Sequence, residues 1–429
     1  MRKSPTRFIR RVNNKFTSAS LDLNFQNMTT SGFDSRITFT RASSGTFFNG
    51  SGILQTASTN VPRLDHNPTT LQSLGLLIEE QRTNSIRNNT MQGAVAGTPG
   101  TLPTNWINTT PFDGIDREVV GTGTTNGITW IDLKFSGTSS TGGSQILVQF
   151  EGAQVVAALQ NQTWTPSLWV AVVGGSTANF SSLTIRHRYY NSSGSAITAL
   201  DTSILSSVSA TLTRFAGTAF AASNATTAFT SFLLNADFVN SSAIDITLRI
   251  GLPQLELGAF ATSVIPTTVA AATRNADVAS MTGTNFSSWY NATEGTLYAE
   301  FQALNAPNNA SAVVAITDGT TNNYIYIGTR AGSAVFGSNS RDSGGSVVSI
   351  GSFGASNTNL QKSILAYKIN DYASTFNAAA VATGTNTVPT VDRLNVAALT
   401  SGNRILGHIR RIAYYPVRLS NDQLQALTR

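Results

Sequence analysis

The 429-residue sequence contains no cysteine. A disulfide scaffold, a thiolate metal site and a cysteine nucleophile are therefore excluded. Charge is scarce too: 12% of residues are Asp, Glu, Lys or Arg, while 41% are hydrophobic. Globular chains usually carry about 25% charged residues. A deficit of this size excludes a charged disordered chain, a coiled coil and a salt-bridged helical bundle. No apolar run approaches the roughly 18 residues of a membrane span, so no membrane insertion is expected. The opening MRKSPTRFIRRVNNKF is basic but has no apolar core of the kind a signal peptide needs, so export by that route is not expected. What fills the deficit is Gly, Ser, Thr, Asn and Ala, the palette of many short strands joined by polar turns. The length suits two or three modules.

The little charge there is has a distribution. Arg2, Lys3, Arg7, Arg10, Arg11 and Lys15 precede the first acid, Asp22. Without them, 22 basic residues remain against 22 acidic ones. The net charge of +6 therefore belongs to an N-terminal arm, residues 1–20, and not to a basic surface. Phe8, Ile9 and Val12 are interleaved with the basic residues and give the arm an apolar side. We read it as docking onto a partner protein through Arg2, Lys3, Arg7, Phe8, Ile9, Arg10, Arg11 and Lys15. Nucleic acid is the second reading, because no pattern of alternating aromatic and basic residues follows.

Hydrophobic periodicity predicts a mostly β chain. An extended or β-structured N-terminal docking segment is followed by two antiparallel jelly rolls, that is, β-sandwiches. Residues 21–92 hold short apolar units, with Asn49-Gly50 as a hairpin signal between Phe47-Phe48 and Ile53-Leu54. Residues 93–266 alternate apolar and polar positions repeatedly, as in GITWIDLKF (Gly127–Phe135) and LTIRHRYY (Leu183–Tyr190). Residues 267–282 read as a small-residue linker, and 283–429 as a second period-two block. The run Ala219–Ala228 reads as non-helical because it lacks a 3.6-residue stripe. The best helix signal is SNDQLQAL, where Ser420 and Gln423 make a capping box and Leu419, Leu424 and Leu427 an apolar face.

Reactive chemistry is thinly supplied. Only seven glutamates occur, and the E-x-D-x-x-E strand pattern of lectin-like glucanases is missing. Glu294 and Glu300 point to one face without a partner Asp, whereas sugar hydrolysis needs two carboxylates across the bond. His66, His187 and His408 stand apart without zinc spacing, and no G-x-S-x-G elbow is present. Asp318, Asp342 and Asn370-Asp371 read as turn formers and not as calcium ligands. No cofactor, metal or catalytic residue is expected. Aromatic rings that stack on sugars are the remaining candidates: Trp106 and Trp130 in the first jelly roll, Tyr324 and Tyr326 in the second. Trp169, inside LWVAVV, reads as core.

Three segments carry a resemblance. The stretch Ile37–Asn84, with TRASSGTFF, NVPRLDH and GLLIEEQRTN, resembles a module recurrent in virion proteins of tailed bacteriophages. GLPQLELG with ATSVIP (Gly251–Pro266) resembles the closing strand of CenC-like carbohydrate-binding jelly rolls. The block ending GHIRRIAYYPVRLSNDQLQAL resembles the concanavalin A-like lectin fold. The resemblance implies a non-enzymatic virion protein, assembled in the host cytoplasm, of tail-fibre, head-fibre or decoration type. It implies other virion proteins (portal, tail or capsid components) as partners, and host-surface glycan as a ligand; the alternative is a purely architectural cement or adaptor. A homotrimer is expected by analogy with fibres. In the module, Glu79-Glu80 is read as paired or capping and not catalytic.

Overall fold

In Ile128–Thr138, Ile131, Leu133 and Phe135 are fully buried at every second position, so the alternation read from sequence becomes the inner face of a strand. The same device builds the whole molecule. The computed structural model describes residues 18–108, 114–141, 145–304, 310–330, 332–355, 359–400 and 404–429. The arm residues Arg2, Lys3, Arg7, Phe8, Ile9, Arg10, Arg11 and Lys15 lie outside the described residues. The described residues form a mostly β protein of antiparallel sheets, arranged as two sandwiches.

In the first sandwich, one sheet runs in the order Thr213–Ala216, Thr163–Gly175, Ala243–Leu257, Ile128–Thr138, Ile115–Thr125. The facing sheet runs Ala196–Ser203, Phe180–Tyr190, Phe229–Phe238, Gln145–Gln149, Ile107–Asn108. Leu133, Leu168, Val170, Ile185, Phe232 and Leu248 fill the space between them. The Ala219–Ala228 run supplies the short strand Phe220–Ala221 and no helix.

The second sandwich is discontinuous in sequence. Its first sheet centres on Glu294–Ala303 and Gly407–Tyr415. The far edge of Gly407–Tyr415 is covered by two segments from the beginning of the chain: Leu21–Asn24 pairs with Arg411 to Tyr414, and Ser73–Ile78 with Gly407 to Ile409. In the opposite sheet, Thr38–Thr40 pairs with Val278–Thr282, which pairs with Arg393–Val396. Residues 21–92 are therefore not a free-standing docking module. Their strands are three to six residues long, too short to bury a core of their own, and Leu23, Phe25, Leu76 and Ile78 complete the core of the C-terminal sandwich.

The segment expected as a linker, 267–282, holds two strands. Ala272–Arg274 pairs with Arg82–Asn84, and these two triplets form the neck through which the chain leaves the second sandwich and returns to it. Val278–Thr282 sends Ala279 and Met281 into the core. The residues are small, so the period-two signal was faint. The first sandwich is thus an insertion into the second.

Two local signals appear as read. The hairpin Gly45–Phe48 to Leu54–Ala57 forms, with the Asn49 side chain accepting from the Ser51 and Ile53 amides and Gly52 taking the left-handed conformation at φ 72°. The helix Asn421–Leu427 carries the reciprocal Ser420–Gln423 capping box, and Leu424 is buried. Ser420→Ala removes one acceptor from the helix start and is expected to lower stability by about 1 kcal/mol, read as a drop in thermal midpoint.

Candidate functional site at the junction of the sandwiches

The charged residues of the N-terminal signatures converge where the two sandwiches meet. Arg41 donates to Asp277 Oδ1 at 3.0 Å, and Arg63 donates to Asp277 Oδ2 at 2.5 Å and to Glu79 Oε2 at 2.7 Å. Arg274 approaches Glu79 at 3.1 Å. Ser263, from the segment that closes the first sandwich, caps Glu79 through its amide and hydroxyl, both at 2.7 Å. Arg41, Arg63, Glu79, Arg274 and Asp277 are each at most 2% exposed. Burial works to raise the Glu79 pKa, but the charges of Arg274 and Arg63 and the Ser263 hydrogen bonds overcome it and hold the carboxyl far below the usual range. Arg274 also reaches Thr262 Oγ1 at 3.0 Å, and Thr262 in turn is bound by the buried Glu256. A clasp of buried charge thus ties signature residues, neck and first sandwich together. Both carboxylates of this network, Glu79 and Asp277, are engaged by buried arginines.

Beside the clasp, Asp65 Oδ1 accepts the Phe48 amide at 2.7 Å, and Asp65 Oδ2 meets His408 Nε2 at 2.8 Å. His66 Nδ1 lies 3.2 Å from the Phe48 carbonyl. These contacts tie the Gly45–Ala57 hairpin to the second sandwich, and on its other side Phe48 and Leu54 cover Trp169, Ile128, Leu252 and Val264 of the first. Leu54 also donates to the Asn126 carbonyl at 2.9 Å.

Trp169 is not in the core of its own sandwich. Leu168 and Val170 point inward, so Trp169 has the opposite parity and sits on the outer face, 5% exposed beneath the hairpin. Hairpin and sheet enclose a crevice of about 320 Å³, bordered by Phe48, Asn67, Asn126, Trp169, Thr213 and Arg214. A neighbouring pocket of about 200 Å³ shares Phe48 and Arg214 and reaches Asp65, Glu79 and His408. Arg214 donates to the Thr262 carbonyl at 2.7 Å and to Ser167 Oγ at 2.9 Å. Burial draws its pKa below the ordinary guanidinium value. Sequence reading passed over Arg214, although it is the single charged residue between Asp201 and Asp237.

The sugar-stacking candidates are scattered. Trp106 is 6% exposed and packs edge-on against Phe150 in the core of the first sandwich. Tyr324 and Tyr326 are 3% and 1% exposed, 5.2 Å apart, and the Tyr326 hydroxyl donates to the Thr329 carbonyl. All three rings are buried, although Tyr324 and Tyr326 border a small pocket of about 180 Å³ with Arg330 and Asn339. Trp130 is half-buried on the outer face of its sheet, and the Arg249 guanidinium lies 3.5 Å from its ring centroid. Asp132 holds that guanidinium with two 2.8 Å bonds, so Trp130 is already engaged in a cation–π contact. Trp130, Tyr324 and Tyr326 lie in strands and Trp106 just before one, but which face each presents depends on what covers it.

The other polar candidates have internal roles. His187 contacts Thr230 Oγ1 at 2.8 Å, and burial lowers its pKa to about 3. Asp318 accepts from Thr320 and Asn323 as a turn former. Glu294 accepts from the Arg418 amide, and Glu300 from the Tyr298 hydroxyl. Among the described residues there is no group of three His, Asp or Glu suited to a metal ion.

No family model and no curated protein matches the chain. Among solved structures, domain 4 of the extracellular arabinanase AbnA from Geobacillus stearothermophilus, in complex with arabinotriose, is similar over 40% of this chain and 84% of its own, with 10% identity and a TM-score of 0.32. The CBM40 of the Ruminococcus gnavus IT-sialidase, bound to α2,6 sialyllactose, covers 32% of this chain and 85% of its own at 16% identity and a TM-score of 0.28. The CBM22 tandem of Paenibacillus barcinonensis Xyn10C spans 77% of this chain and 96% of its own at 11% identity and a TM-score of 0.23.

Proposed function

We propose that this chain is a structural component of a bacteriophage particle, a tail or head appendage without enzymatic activity. In this reading the basic arm anchors it to another virion protein, and the two sandwiches are held toward the host surface and its glycans. The observation that carries the structural part is the buried clasp. The signature residues Arg41, Arg63 and Glu79 are consumed in buried ion pairs, and Ser263 of the first sandwich binds the same Glu79, which ties the two sandwiches together. That is what an appendage exposed outside the cell requires in the absence of disulfides. Carboxylates held in such pairs are poor acids and bases for hydrolysis.

The test is made on particles of the phage that encodes the chain. Deleting residues 1–20 is expected to remove the protein from purified virions while the soluble chain still folds, as read by gel analysis of particles and circular dichroism of the free protein. Full incorporation of the truncated chain would refute the anchoring role. The second reading, a cement or adaptor without glycan contact, is favoured by the burial of Trp106, Tyr324 and Tyr326.

A further inference from the structure

We propose that the crevice between the Gly45–Ala57 hairpin and the outer face of the first sandwich binds an acidic saccharide residue, with Arg214 as the partner of its carboxylate. The inference rests on the glycan-contact part of the function proposed above and gives it a site and a ligand class.

The argument starts from unfilled hydrogen-bonding capacity. Trp169 borders the crevice, and its indole N–H has no hydrogen-bond partner although the residue is 95% buried. A donor buried in this way has a cost unless something accepts from it. Arg214 borders the same space, and its two hydrogen bonds, of 2.7 and 2.9 Å, go to neutral oxygens, those of Thr262 and Ser167. It forms no ion pair among the described residues, and a guanidinium carries five N–H donors. Asn67 spends its side-chain oxygen on the amides of Thr69 and Thr70, both at 2.9 Å, which leaves its NH₂ as the group on offer.

Charge then narrows the ligand. Arg214 is the only charged residue bordering the larger crevice. The carboxylates that act on it electrostatically, Glu256 and Glu79, already have hydrogen-bonded partners of their own, Thr262 and Arg63. Those two charges act on Arg214 without forming an ion pair with it, whereas a ligand carboxylate in the crevice would accept from it by charge-assisted bonds. The ring pair Phe48 and Trp169, with centroids 5.9 Å apart, adds an apolar wall for the C–H face of a pyranose. A volume of about 320 Å³ admits a small ligand or one unit of a chain, and a site between two domains is a common place for one.

The experiment is a titration of the ¹⁵N-labelled full chain with galacturonic acid, followed through the indole N–H resonances. The Trp169 signal is identified by its disappearance in Trp169→Phe. We expect that signal to shift saturably with galacturonic acid, and the affinity for galactose to be at least about tenfold weaker. Arg214→Gln should weaken galacturonate binding by a similar factor. Because Arg214 also bridges Thr262 and Ser167, Asn67→Asp provides a second variant. It keeps the acceptor that holds the Thr69–Thr70 turn, places a negative charge in the crevice, and should abolish the shift. The proposal is overturned if the Trp169 signal does not move, if galactose or inorganic phosphate moves it equally well, or if Asn67→Asp binds as the wild type does. Incorporation into particles depends on the arm and is unaffected by any of these outcomes, so failure here removes the saccharide site and leaves the structural role standing.

Discussion

Asp277→Ala is expected to destabilise the protein by about 3–5 kcal/mol, measured as the loss in urea-unfolding free energy. Asp277 is fully buried and receives Arg41 on one oxygen and Arg63 on the other. It also accepts the Glu79 amide at 2.8 Å. Removing the carboxylate leaves the buried Arg41 without its charge partner and Arg63 with Glu79 alone, and it orphans the Glu79 backbone donor. The loss comes mainly from that unpaired charge and much less from the net worth of the pair, since a well-formed buried ion pair does little better than an apolar replacement. Asp277→Asn keeps an acceptor for the Glu79 amide and should fall between the two. A loss under about 1 kcal/mol for the alanine variant would mean that the junction is hydrated and the clasp is not what holds the sandwiches together.

Acidification from pH 6.5 to 4.5 is expected to lower stability by about 2–3 kcal/mol through His187 alone. The side chain is 1% exposed, and burial holds its folded-state pKa near 3, below the ordinary 6.5. Below pH 6.5 the unfolded chain binds a proton that the folded chain refuses, so the unfolded state gains and stability falls with falling pH until the folded pKa is reached. Glu79 acts in the same direction but lower on the scale. Its depressed pKa adds stability above the usual carboxylate value, and this is lost only as pH falls from there toward the folded pKa. The two windows separate the groups. His187→Gln should flatten the dependence between pH 6.5 and 4.5 and leave the steeper acid limb in place. Urea midpoints at pH 7, 5.5 and 4.5 for the two proteins check this, and parallel slopes would assign the sensitivity to other groups.

Much of the fold was legible in the strands themselves. Alternation in GITWIDLKF marked a strand, with Ile128 and Trp130 at period two, but it is Ile131, Leu133 and Phe135, of the other parity, that face the core. LWVAVV is apolar throughout and offers no polar contrast, so Trp169 was read as core, whereas the structure puts it on the face opposite Leu168 and Val170. The hairpin at Asn49-Gly50 and the capping box at Ser420 were readable because each is a local hydrogen-bonding device complete within a few residues. The neck and the strand Val278–Thr282 were hidden by their small residues, which carry little hydrophobic contrast. The role of Glu79 as a paired carboxylate was anticipated, but its partners Arg63 and Arg274 are 16 and 195 residues away in sequence, and nothing local names them.

The chain by itself determined strand content, its local turns and cap, and the poverty of reactive groups, because all of these follow from composition and from periods of two or four residues. Only the tertiary structure decided that the second sandwich is assembled from both ends of the chain. It also decided that the signature arginines and acids form one buried clasp, that Trp106, Tyr324 and Tyr326 are covered, and that Trp169 and Arg214 share a crevice. Those facts depend on pairings between residues tens to hundreds of positions apart. Side-chain alternation says which way a residue points, and only the partner sheet or hairpin that arrives over it determines whether it meets solvent, another side chain or an empty space.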